Sequence, residues 1–137
     1  MRTPRQILED SITIAVVGAS RDPLKEAHTI PALMLRHGWR IIPVNPYTTE
    51  IFGQTAYPLL GEIPEPVDLV NVWRPGPYCA EFARQAVEIG ARAIWLQQGI
   101  VSAEARRIAE DAGIDYVEDY CIAVARATWA LTRQVQT

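Results

Sequence analysis

Lysine is nearly missing: Lys25 stands alone beside twelve arginines in a chain of 137 residues with a formal net charge of −3. With 13 basic against 16 acidic residues there is no basic excess of the kind nucleic acid binding requires, and no acidic run forms a solvating tail. Cysteine is scarce as well. Cys79 and Cys121 lie far apart, which argues against a disulfide framework and a cysteine zinc cluster. Two histidines, His28 and His37, are too few for a histidine metal site of their own. No long apolar run occurs. The longest, over 12–19, falls far short of the roughly 20 residues needed to span a bilayer. Glu9 and Asp10 break the N-terminus before any secretory apolar stretch. The expectation is a cytoplasmic protein with no membrane and no nucleic-acid partner. What is present is a core-forming composition, 49% hydrophobic and 21% charged, at the length of one domain, 1–137.

The apolar residues fall into short β-branched runs separated by segments of helical spacing. A helix is expected over 4–10, with Pro4 in its first turn. The run 12–17 reads as a strand buried on both faces. Ile30, Leu33, Met34 and His37 recur at helical spacing before Gly38. Strands are predicted at 40–44, 67–72, 92–96 and 114–117, and helices at 78–89, at 102–112 behind a Ser102 cap, and at 121–131. A small edge strand over 54–57 and one helical turn over 59–62 complete the pattern. Strands alternating with helices mean βαβ units, hence an α/β, Rossmann-like, doubly wound parallel sheet with helices on both faces. Right-handed crossovers leave a main-strand order of 2-1-3-4-5. Ligands of such sheets lie beyond the strand C-termini, where the order reverses.

That rule selects four loops. Gly18, Ala19, Ser20 and Arg21 leave the central strand, and the free N–H groups, the Ser20 hydroxyl, the following helix dipole and the Arg21 guanidinium suit a phosphate. Val44, Asn45 and Pro46 end the second strand, Trp73, Arg74 and Pro75 the third, and Gln98 and Gly99 follow the fourth. A dinucleotide fingerprint would need three glycines; only Gly18 is there, with Ser20 and Pro23 at the other two places. The acidic residue that holds a ribose after the second strand is replaced by Asn45-Pro46, and no Walker lysine occurs.

The segments VVGAS at 16–20, IIPVNP at 41–46, GQTAYPLLGEIPEPVDLVNVWRP at 53–75, QQGI at 97–100 and the late Cys121 together resemble the small stand-alone CoA-binding proteins. Those are similar in turn to the N-terminal CoA-binding domain of the succinyl-CoA synthetase alpha subunit. The resemblance implies a Rossmann-like domain binding coenzyme A or an acyl-CoA. Residues 18–21 would face the phosphates and 44–46 the adenosine. Trp73, Arg74 and Pro75 match the loop after the third strand, Gln98 and Gly99 the pantetheine end, and Cys121 the cysteine after the fifth strand. Two positions depart from the family. Tyr47 stands where Lys is common after Asn-Pro, so the charge must come from Arg21 or Arg74. Tyr120 stands where Arg often precedes the late cysteine. The synthetase's phosphohistidine relay belongs to a second domain and a partner subunit, for which 137 residues leave no room.

Three readings stay open on the residues: a non-catalytic CoA-binding module with an unidentified protein partner, an NAD(P)-binding protein or oxidoreductase subunit, and an interaction subunit that has lost its ligand. Single residues carry alternatives too. Trp73 either stacks on an adenine or packs under its loop, while Trp39, Trp95 and Trp129 read as packing aromatics. Cys121 either fills space or faces the CoA thiol. Cys79, near a helix start, is expected to have a dipole-lowered pKa and to react readily. His37 suits a helix C-terminus, and His28 is either a helix-entry residue or a ligand contact. No nucleophile, base and orienting group fall in one place.

Overall fold

Runs that are apolar on both faces fold as central strands here, and helices of one apolar stripe cover them. The computed structural model describes residues 1–134; the last three residues of the expected 1–137 domain lie outside the described residues. The chain runs α1 (Pro4–Asp10), β1 (Thr13–Val17), α2 (Glu26–Arg36), β2 (Arg40–Val44), β3 (Glu50–Ile51), β4 (Gln54–Thr55), a 3-10 turn (Leu60–Glu62), β5 (Leu69–Val72), α3 (Gly76–Glu88), β6 (Ala93–Leu96), α4 (Ala103–Ala112), β7 (Asp115–Val117) and α5 (Ile122–Thr128). The main sheet is parallel with order β2-β1-β5-β6-β7, which is 2-1-3-4-5 counted over its five strands. The expected α/β, Rossmann-like architecture is the one observed.

Alternation along each strand sorts the core into two layers. Ile14, Val16, Leu69, Ala93 and Trp95 point to the face covered by α1, α2 and α5. Ala15, Val17, Val70, Val72, Ile94 and Leu96 point to the face covered by α3 and α4. The second face is lined with small residues: Ala80, Ala83, Ala86, Ala105 and Ala109 are buried, and Phe82 and Ile89 are partly covered. Register levels the C-terminal edge. Val17 pairs with Val44 and with Val72, and Val72 with Leu96, so the loops after β1, β2, β5 and β6 start at one height.

Boundaries differ from expectation where local chemistry allows more, or less, than the residue types suggest. α3 starts at Gly76 because Pro77 fits a first helical turn, where its missing N–H would be unpaired anyway. α5 stops at Thr128, with Ala130 at φ 50 ending the run short of 131. The expected edge strand 54–57 is instead a hairpin: β4 pairs with β3, and Tyr57 only bridges Val44. Among the described residues no helix is long and apolar enough to cross a membrane.

Trp39 and Trp95 are core residues, and Trp129 packs partly buried against the same layer. Trp95 does more than fill space: its Nε1–H donates to the Tyr120 carbonyl at 2.7 Å, and its ring meets Tyr120 edge-on at 5.6 Å. It thereby anchors the segment entering α5. Trp95→Phe keeps an aromatic ring and strands that carbonyl, a cost of about 1–3 kcal/mol. A urea midpoint lowered accordingly is the expected outcome, and an unchanged midpoint would mean that water replaces the indole.

Candidate functional site

The loop after β1 is bound to its neighbours at nearly every residue. Gly18 N–H still bonds Val44 O at 3.0 Å, continuing the β1–β2 ladder. At Ala19 the carbonyl takes the Asn45 Nδ2–H at 2.9 Å, while Asn45 Oδ1 accepts the Tyr47 N–H at 2.7 Å. Asn45 is thus a clip between the two loops. Ser20 N–H bonds the Ala27 carbonyl at 3.0 Å, and Ser20 Oγ accepts the Asp22 N–H. His28 Nδ1 lies 2.6 Å from the Ser20 carbonyl, its ring 4.8 Å from that of Phe52, which sits at φ 59 on the β3–β4 hairpin. His28 is therefore a brace for the loop. Among the described residues the backbone N–H groups of Ala19 and Arg21 have no acceptor, and Ala19 is fully buried while Arg21 is exposed. α2 begins only at Glu26, itself an acid in the first turn, so an anion at this loop would meet the Arg21 amide, the Ser20 hydroxyl and the Arg21 side chain rather than the helix dipole.

Gly18 has φ +89, and a Cβ there would meet Trp73 Cβ at 3.3 Å and Arg74 Cδ at 3.4 Å. The missing side chain makes room for the loop after β5, a packing reason the sequence did not expose. Trp73 is half-buried against the core, and its Nε1–H donates to Asn71 Oδ1 at 2.8 Å, so its indole is fixed under the loop. Arg74 stacks over Tyr78 at 4.8 Å. Neither Arg21 nor Arg74 makes an ion pair among the described residues, whereas Arg2, Arg40 and Arg106 are paired elsewhere.

The structure thus brings Gly18, Ala19, Ser20, Arg21, Val44, Asn45, Trp73 and Arg74 together at the β1–β5 switch point, with Pro46 and Pro75 at its edges. Gln98 and Gly99 stand at another corner, exposed, with Gly99 N–H on the Asp119 carboxylate at 2.7 Å. Cys121 is half-buried and caps α5. Sequence reasoning missed a buried polar pair, Asn71 and Gln97, 1% and 4% exposed. Its signal was there: two carboxamides at the ends of strands otherwise apolar on both faces.

The model of the CoA binding domain matches residues 12–127. The chain belongs to that family. It is 39% identical over 123 residues to the uncharacterized protein YneT of Bacillus subtilis, covering 90% of this chain and 91% of that one. It is 33% identical over 82 residues to the alpha subunit of the ADP-forming acetate–CoA ligase II of Pyrococcus furiosus, 59% of this chain but only 18% of the subunit. A solved hypothetical protein from Pyrococcus horikoshii shares 30% identity at a TM-score of 0.90, over 93% of this chain and 90% of that chain. Family membership supports coenzyme A as the class of ligand.

One cysteine expectation is overturned. Cys79 lies in the first turns of α3 but is fully buried, its thiol 3.5 Å from the Arg74 carbonyl, and burial pushes its pKa up to about 11. The neutral thiol is favoured in the folded state, so its contribution to stability is present below the unfolded thiol pKa and lost as pH rises toward 11. With an aromatic disulfide reagent at pH 8, one thiol, Cys121, should titrate in the native protein, and Cys79 only in urea. Equal native rates would contradict this burial.

Proposed function

We propose that the crevice above Gly18 and Trp73 binds coenzyme A or an acyl-CoA, with the diphosphate on residues 18–21, and that the chain binds without catalysing a reaction. The observation that supports the reading is the switch-point loop, braced in place, with the Arg21 amide without an acceptor and the Arg21 and Arg74 side chains without an ion pair among the described residues. Preorganised donors beside unneutralised cations are what a diphosphate needs. The two arginines supply the charge that Tyr47, 88% exposed, does not.

The geometry speaks less well for NAD(P). Asn45, the residue in place of a ribose-holding acid, spends its side chain on Ala19 and Tyr47. The proposed role is that of a carrier or sensor; among the described residues no nucleophile with an adjacent base gathers at the crevice.

Titration calorimetry of the protein with CoA, acetyl-CoA, NAD and NADP is the test. CoA should bind, and Arg21→Ala and Arg74→Ala should each weaken it by about 1.5–3 kcal/mol, roughly 10- to 150-fold. NADP binding at concentrations where CoA gives no heat would overturn the proposal. An Arg21→Ala protein of unchanged affinity would move the diphosphate away from this loop.

A further inference from the structure

His28 stands half-buried in the first turn of α2, and one of its two ring nitrogens is already committed. Nδ1 lies 2.6 Å from the Ser20 carbonyl, a group that can only accept, so Nδ1 carries the hydrogen. That settles the tautomer. The other nitrogen, Nε2, has no partner among the described residues, and a second proton can only go there. An imidazole is the side chain whose charge changes between about pH 5 and 8. The charged and titratable groups on the elements around the ring are Arg21, Asp22 and Lys25 on the loop, Glu26 in the first turn of α2, and Glu50 on β3, the hairpin strand near Phe52. None of them bonds the ring, and Asp22 instead accepts the Leu24 N–H at 3.0 Å. The ring therefore has no counter-ion of its own among the described residues.

The carbonyl that His28 holds has a second end. Ser20 C=O and Arg21 N–H belong to one planar peptide unit, in which the two bonds point opposite ways. Arg21 is exposed, and its N–H has no acceptor among the described residues. An anion accepting from that N–H would complete one row: imidazole N–H, carbonyl, peptide N–H, anion. Hydrogen bonds in such a row polarise one another, and a charged donor at its head makes the first bond stronger still. The ring thus lies one peptide unit from the place where a diphosphate would sit. A bound diphosphate would supply the counter-ion that the ring lacks.

We propose that His28 couples ligand binding at the β1 loop to the uptake of a proton, and so makes the site responsive to pH. As the diphosphate arrives, one proton passes from solvent to Nε2, the ring goes from neutral to a single positive charge, and no other bond is made or broken. The imidazolium then acts through the Ser20–Arg21 peptide. His28 is a positioning residue here, since it touches no ligand atom. This rests on the CoA reading above. Coupling is reciprocal: if the anion favours the protonated ring, the protonated ring favours the anion, and affinity falls as pH rises.

The probe is dephospho-CoA, which keeps the diphosphate and lacks the 3′-phosphate monoester that would itself titrate near pH 6. Titration calorimetry at pH 7, in two buffers of different ionisation enthalpy, counts the protons bound. Wild-type protein should take up a fraction of a proton per ligand, and its affinity should rise about fivefold from pH 8 to pH 6. His28→Asn keeps an N–H for the Ser20 carbonyl and removes the titrating nitrogen. It should bind at every pH as wild type does at pH 8, with no proton taken up. His37→Asn, at the other end of α2, should behave as wild type. Wild-type affinity that does not change with pH, or proton uptake that survives His28→Asn, overturns the proposal. His28→Gln, read by the same criteria, serves if His28→Asn does not fold by circular dichroism. If CoA binds and dephospho-CoA does not, the difference between wild type and His28→Asn with CoA is read in the same way. Wild-type protein that binds neither molecule at any pH sinks the CoA reading itself. Wild-type protein that binds them without proton uptake sinks this inference alone.

Discussion

Two loops leave the sheet side by side at Gly18, and the C-terminal edge depends on how closely they pass. A single Cβ at that position would press on Trp73 and Arg74. Beside this approach Trp73 bonds Asn71, Asn71 bonds Gln97, and Gln97 bonds the first turn of α5. On the other side, Asn45 ties the same loop to the end of β2. Side-chain bonds thus join the end of β2 to the β1 loop and the end of β5 to that of β6, with the close Gly18–Trp73 approach between the two pairs. The level register of Val17, Val44, Val72 and Leu96 is what lets short side chains span those gaps.

The fold was legible because its period is simple. Five runs apolar on both faces, each followed by a helical stripe, allow few parallel arrangements once crossover hand is imposed. Strand order followed from that alone. What escaped was set by contacts between distant residues. Cys79 looked activated by its place near a helix start, but burial against the sheet outweighs a partial dipole charge. The helix expected from 78 begins at Gly76, with Pro77 in its first turn. Gly18 stood out as the one fingerprint glycine present, and its close packing against Trp73 is set by a loop distant in sequence.

Of the candidate site, the sequence showed which loops would stand near one another but not what each side chain in them bonds to. Asn45 and His28 were candidates for touching a ligand, and both hold the β1 loop. Of the adjacent glutamines after β6, the resemblance pointed to Gln98, which is exposed, while Gln97 beside it is buried. Sequence alone ranks the two equally, because they differ only in which side of the pleat they leave from. Charge is apportioned in a similar way. Arginines on the flanks, such as Arg2 with Asp115 and Arg106 with Glu118, are neutralised in place, and those at the switch point are not.

The bracing of the β1 loop has a thermodynamic consequence. Asn45, Ala27 and His28 restrain residues 19 and 20 from three directions, and Phe52 holds the His28 ring from a fourth. The conformational entropy of that loop is surrendered when the chain folds, not when an anion arrives. A ligand of the kind proposed would then meet a loop already ordered, and the heat capacity change of its binding would follow the apolar area covered, with little added from ordering the backbone.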